Sequence, residues 1–507
     1  MHWTKSKKIL AGAALALALG GTAIGLPVQA AELRMAWSQD ATGLDPHKQT
    51  AFSSIRLLEL IYEPLVQLNA DLEVVPAVAS SWSFSDDGLT LTFNINPDAK
   101  FSDGSSVTSE DVKASFERLL NEDTGAAARS NFLSIASIDT PDPQTAVFHL
   151  SQPDAPILVA MATANASIVP AAEIAAGNIG TKTLGSGPFV LDDWQPNSKE
   201  VLSPNPYWAG GKTGVDGITI SVLPDETAIL ASLRAGQTDF ALINDPLVAT
   251  LVPSEPNLQL NRAAGLAYNV LQLNPSRAPM DNLKVRQAMS CAVNRQEVLD
   301  TALLGEGRVT GPLTMPAFRS DPNTLFCYQQ DVEKAKQLMA EAGYPDGFSA
   351  TVIAATGEPP VASAEAQVLQ SQLAAIGIKL DIKLMELNVY VDAWLNADFD
   401  MAVALNGGRP DPYPMYNRYF TKDGNLLKVS NYVDDTLDSL MQQGRVETDF
   451  EKRKAIFQEF ERHLAEVSPW IWLSTSYSYT AQLKTVHGFE PSPLGSLVSL
   501  SHVTVDE

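Results

Sequence analysis

The sequence predicts an α/β protein with more than one domain, and three observations carry the prediction. Segments alternating apolar and polar residues with the period of a half-buried strand recur along the chain; Leu89-Thr90-Leu91-Thr92-Phe93-Asn94-Ile95 is the clearest. Helical patterns are interleaved with these strands rather than collected in a block, the order that builds sheets covered by helices. At 507 residues the chain is longer than one hydrophobic core usually serves, so two or three domains are expected.

The first element is a leader. Lys5, Lys7 and Lys8 precede an apolar stretch from Ile9 to Leu19, and Val28-Gln29-Ala30 precedes Ala31, the layout of a secretory signal peptide over 1–30 cut after Ala30. Its apolar run falls short of the ~20 residues of a membrane span, and no Cys stands at the cleavage site to take a lipid. A diffusible periplasmic protein is expected, neither a lipoprotein nor inserted in the membrane.

Leu33 to Trp37 reads as the first strand, Gly43-Leu44-Asp45-Pro46 as a loop, and Ile55 to Tyr62 as a helix whose Leu58, Ile61, Tyr62 and Leu65 keep helical spacing before Pro64 ends it. Asp87-Gly88 turns into the Leu89 strand. Thr108-Ser109-Glu110-Asp111 has the form of a capping box, opening a helix that buries Val112, Phe116, Leu119 and Leu120. Gln144 to Leu150 and Ile218 to Val222 read as strands. Helices begin at Val285 and Asp331, the second ended by Gly343, and Ala364 to Ile376 is a helix stopped by Gly377. Strands follow at Ile378 to Leu384 and Phe399 to Val403, and a long amphipathic helix spans Phe450 to Val467.

Charge narrows the function. Lys and Arg number 35 against 59 Asp and Glu; beyond the leader 32 basic residues remain, a net charge of −27. That balance excludes nucleic acid and anionic membrane as partners, since phosphate binding needs clustered cations. The six histidines are scattered singly, without metal-ligand spacing, and no Gly-x-Ser-x-Gly elbow occurs. Asp86/Asp87 and Asp434/Asp435 are adjacent, so on a strand they would face opposite sides. No catalytic residue, metal site or cofactor is predicted. Cys291 and Cys327 are the only cysteines; in an oxidising compartment they form a disulfide or remain two buried thiols.

The run Val75-Pro76-Ala77-Val78-Ala79-Ser80-Ser81-Trp82-Ser83-Phe84-Ser85-Asp86-Asp87-Gly88-Leu89, continuing to Lys100-Phe101-Ser102-Asp103-Gly104, resembles the signature of the solute-binding proteins that serve peptide, nickel and opine ABC importers, extracellular solute-binding protein family 5. Gly185-Ser186-Gly187-Pro188-Phe189 and Asn205-Pro206-Tyr207-Trp208 match two further family segments. The resemblance covers essentially the whole mature chain. It implies a two-lobed periplasmic-binding-protein fold of the large, three-domain type II variety, with ligand held in a cleft between the lobes. The implied boundaries are 31–66, 184–274 and 472–507 for a discontinuous first lobe, 67–183 for an inserted domain and 275–471 for the second lobe. The implied partners are a peptide or other small ligand and the ABC permease, with the protein itself a monomer.

The resemblance also supplies site expectations. Ala404 to Tyr416 follows an apolar strand and is dense in Gly, Pro and aromatics, suited to a ligand-holding loop; Asn406, Arg409, Asp411 and Tyr413 are its candidates. Gln49 and Ser54 are expected to line the first lobe, and Thr163 and Asn165 the inserted domain's edge. Thr163 stands where nickel-type members place an arginine. Gly408-Arg409 stands where dipeptide-type members place the aspartate that pairs with the peptide ammonium, leaving Asp411 as the substitute. Arg409 favours a carboxylate or phosphate, which it can hold bidentately. A peptide is therefore the first expectation; an opine, a sugar-phosphate conjugate or, more remotely, a metal chelate is the alternative. A secreted hydrolase acting through an acidic pair is the competing class, and no spacing marks such a pair.

Overall fold

The computed structural model describes residues 32–357 and 359–506, so the leader lies outside the described residues. One mixed sheet runs through the molecule in the order Ile378–Met385, Phe348–Ala355, Met401–Asn406, Leu258–Leu273, Trp470–Leu483, Phe240–Ile243, Glu32–Trp37, Gly217–Val222, Lys199–Pro204, Phe189–Gln195. The two long strands are antiparallel and are shared by both halves. Their register slips between Ala264/Tyr268 and Asn269/Val270, irregularities that bend a strand pair where the chain crosses from one half to the other.

Each half has its own core. In the first, Leu33, Met35 and Trp37 pack on Leu57, Leu58 and Ile61 of the helix Phe52–Ile61. In the second, Tyr416, Phe420, Trp470 and Trp472 join Phe457 and Phe460 of the helix Phe450–Val467. A separate four-stranded antiparallel sheet, Ala79–Phe84, Thr90–Ile95, Thr145–Leu150, Ile135–Asp142, carries the signature run. Leu91, Phe93 and Ile95 point to its core and are at most 2% exposed, as the alternation requires. The helix Ser109–Leu120 covers that sheet behind the capping box at Thr108 and Asp111, and Phe116 meets Phe132 and Phe148 edge-on.

The glycines of Gly185-Ser186-Gly187 have a packing reason. A Cβ on Gly185 would sit 2.1 Å from the Ile61 carbonyl oxygen, while the Gly187 N–H donates to that same oxygen at 2.9 Å. Only a bare backbone can approach the end of Phe52–Ile61 so closely.

Cys291 and Cys327 are joined, with Cα atoms 4.7 Å apart. The Ala404 to Tyr416 segment differs from the expected loop: its start belongs to the strand Met401–Asn406 and its end to the helix Pro412–Phe420. Asp411 caps that helix, accepting from Tyr413 N at 2.9 Å. Pro412 sits in the first turn, where its missing N–H has no intrahelical role.

The second half also touches the small sheet's domain directly. Arg445 and Asp154 form a buried ion pair at 2.6 Å, and Asn425 Nδ2 donates to the Ala127 carbonyl at 2.9 Å. Among the described residues no helix is long and apolar enough to cross a membrane.

Candidate functional site

Between the halves lies a cleft of about 1250 Å³, open solvent at its mouth included. Its floor is the helix Phe52–Ile61, which presents Phe52, Ile55, Arg56 and Glu59, spaced i, i+3, i+4, i+7 on one helical face. The opposite face of that helix is buried in the first-half core. Facing it from the second half are Asn406 and Gly407 at the end of Met401–Asn406, then Arg409, and Arg418 and Tyr419 from the helix Pro412–Phe420. Leu387, Tyr390, Val391 and Trp394 of the helix Leu387–Leu395 make an apolar wall. The Tyr390 hydroxyl donates to Val403 O at 2.9 Å and Trp394 Nε1 to Gln272 at 2.6 Å; both rings are thereby fixed before any ligand arrives.

Three arginines and one carboxylate line this cavity. Burial pulls the Arg409 guanidinium down to about 10, the neighbouring Arg418 charge adds to that, and Glu59 opposes both. Arg409 Nη1 donates to the Gly408 carbonyl at 3.0 Å. Arg418 Nε is buried with no hydrogen-bond partner among the described residues, a costly condition for a charged donor. Burial raises the Glu59 carboxyl, opposed by hydrogen bonds from Ser496 and Leu497 and by the charges of Arg56 and Arg409. Its Oε2 accepts from Ser496 Oγ at 2.8 Å and from Leu497 N at 3.3 Å. The balance of charge suits an anionic group held by guanidinium N–H donors.

The expected site residues divide evenly. Thr163, Asn165, Asn406 and Arg409 line the cavity, although Asn165 Nδ2 is committed to the Pro46 and Gln49 carbonyls and Thr163 Oγ1 donates to Ala160 O. Gln49, Ser54, Asp411 and Tyr413 do not line it. Ser54 is fully buried and, with Gln49, bonds Thr42. Asp411 gives both oxygens to Arg453, at 2.5 and 2.8 Å, inside the protein; it is a correction, because a carboxylate so engaged cannot anchor a ligand ammonium. Tyr413 is buried under Arg445, whose guanidinium lies 4.9 Å from its ring.

The sequence alone does not single out Arg56, Glu59, Arg418 or the apolar wall of the helix Leu387–Leu395. The i, i+3, i+4, i+7 spacing of Phe52, Ile55, Arg56 and Glu59 was readable, a second face on a helix whose core face is Leu57, Leu58 and Ile61. Among the described residues, no group of three or more His, Cys, Asp or Glu side chains could hold a metal ion.

Comparison with known proteins agrees with this architecture. The pattern of the bacterial extracellular solute-binding proteins, family 5 Middle, matches residues 73–426. The probable D,D-dipeptide-binding periplasmic protein of Escherichia coli (strain K12) is 31% identical over 454 residues, 85% of this chain and 86% of that protein. A periplasmic binding protein solved with agropinic acid, from A. tumefaciens R10, gives a TM-score of 0.87 at 29% identity, over 94% of this chain and 99% of that one. A periplasmic binding protein from Helicobacter pylori solved with the peptide STSA gives 0.85 at 25% identity, over 94% and 98%.

Proposed function

The chain belongs to family 5 of the bacterial extracellular solute-binding proteins, which capture solutes for ABC importers, and from that premise we propose that its own solute is peptide-sized and enters the cleft by an anionic head. The observation that carries this reading is the pair Arg409 and Arg418 beside a cavity with a single carboxylate. A free peptide supplies such a head in its C-terminal carboxylate, and an opine supplies more than one. The opine reading gains from the engagement of Asp411 by Arg453, which leaves the second half no carboxylate at this loop for a peptide ammonium.

Capture needs no covalent step. Contacts made only when the halves close on the ligand shift the open–closed equilibrium toward the closed form, and the closed form is the one that engages the permease. The leader pattern of Lys5, Lys7 and Lys8, the apolar Ile9 to Leu19 and the Ala30 cleavage point supports export to the periplasm.

Native mass spectrometry of the purified full chain, followed by denaturing release, identifies the solute that travels with it. A carboxylate- or phosphate-bearing compound is expected. Arg409→Ala should then weaken its binding more than tenfold, about 1.4 kcal/mol. An unchanged affinity would remove Arg409 from the site and overturn the reading.

A further inference from the structure

A second cleft, about 1250 Å³ with its open solvent included, adjoins the first at Glu59. The two share Glu59, Leu68, Ala162, Ala164 and Leu494 as lining, so they abut at these residues. Their linings carry opposite kinds of group: the first holds Arg56, Arg409 and Arg418 beside Glu59, while the second holds Glu59, Glu63 and Glu490 and no Lys or Arg.

The second cavity is built rather than incidental. Glu63 accepts from Trp208 Nε1 at 2.9 Å, which fixes its carboxyl, and burial pushes that carboxyl up to about 7. A cation brought beside it would favour the ionised form. Tyr62, 2% exposed, also lines the space, and its hydroxyl has no hydrogen-bond partner among the described residues. At the outer end Glu490 and His502 are exposed, so a long tail need not be fully enclosed. At the shared boundary, Glu59 is held through Oε2 by Ser496 and Leu497.

We infer that the second cavity takes the cationic end of the same solute, so that the ligand is an elongated zwitterion with its carboxylate at Arg409 and Arg418 and an ammonium or guanidinium tail past Glu59 toward Glu63. Lysine- or arginine-containing peptides and N-carboxyalkyl derivatives of basic amino acids are the chemical class. The inference rests on the anionic-head reading above and adds the other end of the molecule. Opposite charges at the two ends also fix the direction of entry, since the reversed ligand would place like charges together.

The test is a competition. Ligand-free full-length protein is mixed with an equimolar pool of tripeptides and N-carboxyalkyl amino acids, and the retained members are identified by mass spectrometry. Members with a Lys or Arg side chain should be enriched at least tenfold over equally long neutral ones. Glu63→Gln should cut that enrichment below threefold while total retention persists. Glu490→Gln, at an exposed position, serves the same purpose should Glu63→Gln not fold. Retention without a cationic bias, or a bias unchanged in the folded variants, overturns the second-cavity assignment and leaves the anionic-head reading standing. Retention of no member, or retention unaffected by Arg409→Ala, overturns the anionic-head reading itself.

Discussion

The segment Ala404 to Tyr416 and the helix Phe52–Ile61 face each other across the cleft, yet they gave opposite impressions from sequence. The first is conspicuous, with its glycines, prolines, aromatics and an Asp-Pro pair. Its acid nevertheless serves the fold: Asp411 caps the helix Pro412–Phe420 and pairs with Arg453. The second reads as an ordinary amphipathic helix, and its inner face does pack in a core. Its other face supplies Phe52, Ile55, Arg56 and Glu59 to the cavity. The contrast teaches that composition marks a strand-to-helix corner well but says little about which of its polar groups remain available.

The largest effect that tests this contrast is Asp411→Ala. It leaves the Arg453 guanidinium buried without its partner, which should destabilise the protein by about 3–5 kcal/mol. Chemical denaturation measures the loss. Ligand affinity, titrated at a temperature where the variant is folded, should change less than threefold; a tenfold drop would return Asp411 to the ligand.

Next in size is Leu58→Ala on the core face of Phe52–Ile61. Leu58 is 0% exposed, so the substitution opens a cavity at a cost of about 2–5 kcal/mol. A midpoint shift of that size in denaturant, with binding retained by the folded fraction, would separate the two faces of one helix.

Glu365 gives the second half a carboxyl that contrasts with Asp411. It is 0% exposed, both oxygens lack partners among the described residues, and burial alone pushes it up to about 8. A carboxyl whose pKa is higher folded than unfolded is most favourable to folding at pH below its unfolded value near 4.5, and that stability is lost as pH rises toward 8. From pH 5 to 7.5 the loss should be on the order of 3 kcal/mol. Glu365→Gln should flatten that slope in denaturation midpoints measured across the range, whereas an unchanged slope would place the titration elsewhere.

Much of the fold was legible because its signals are local. The alternation of Leu91, Phe93 and Ile95 fixed a strand and its buried face, and Thr108 with Asp111 fixed a helix start by hydrogen bonds between near neighbours. The site was half legible. Thr163, Asn165, Asn406 and Arg409 reach the cavity, while Ser54 and Gln49 turn inward to Thr42. Nothing near Asp411 in sequence announces Arg453, which arrives from a helix 42 residues away. Pairing across that distance is decided by packing, and packing is what a single sequence shows least.

The smallest predicted effect is the sharpest for the helix. Ile55 lies between Phe52 and Glu59 on the cavity face and is only partly buried. Ile55→Ala removes apolar surface that a ligand covers but the core does not use. Stability should fall by no more than about 1 kcal/mol, while ligand affinity falls roughly fivefold, about 1 kcal/mol, through lost burial. Leu58, three residues on, should show the reverse ordering. If calorimetric titration found both variants equal in binding and stability loss, the helix would not divide its faces between core and ligand, and its i, i+3, i+4, i+7 spacing would carry no functional meaning.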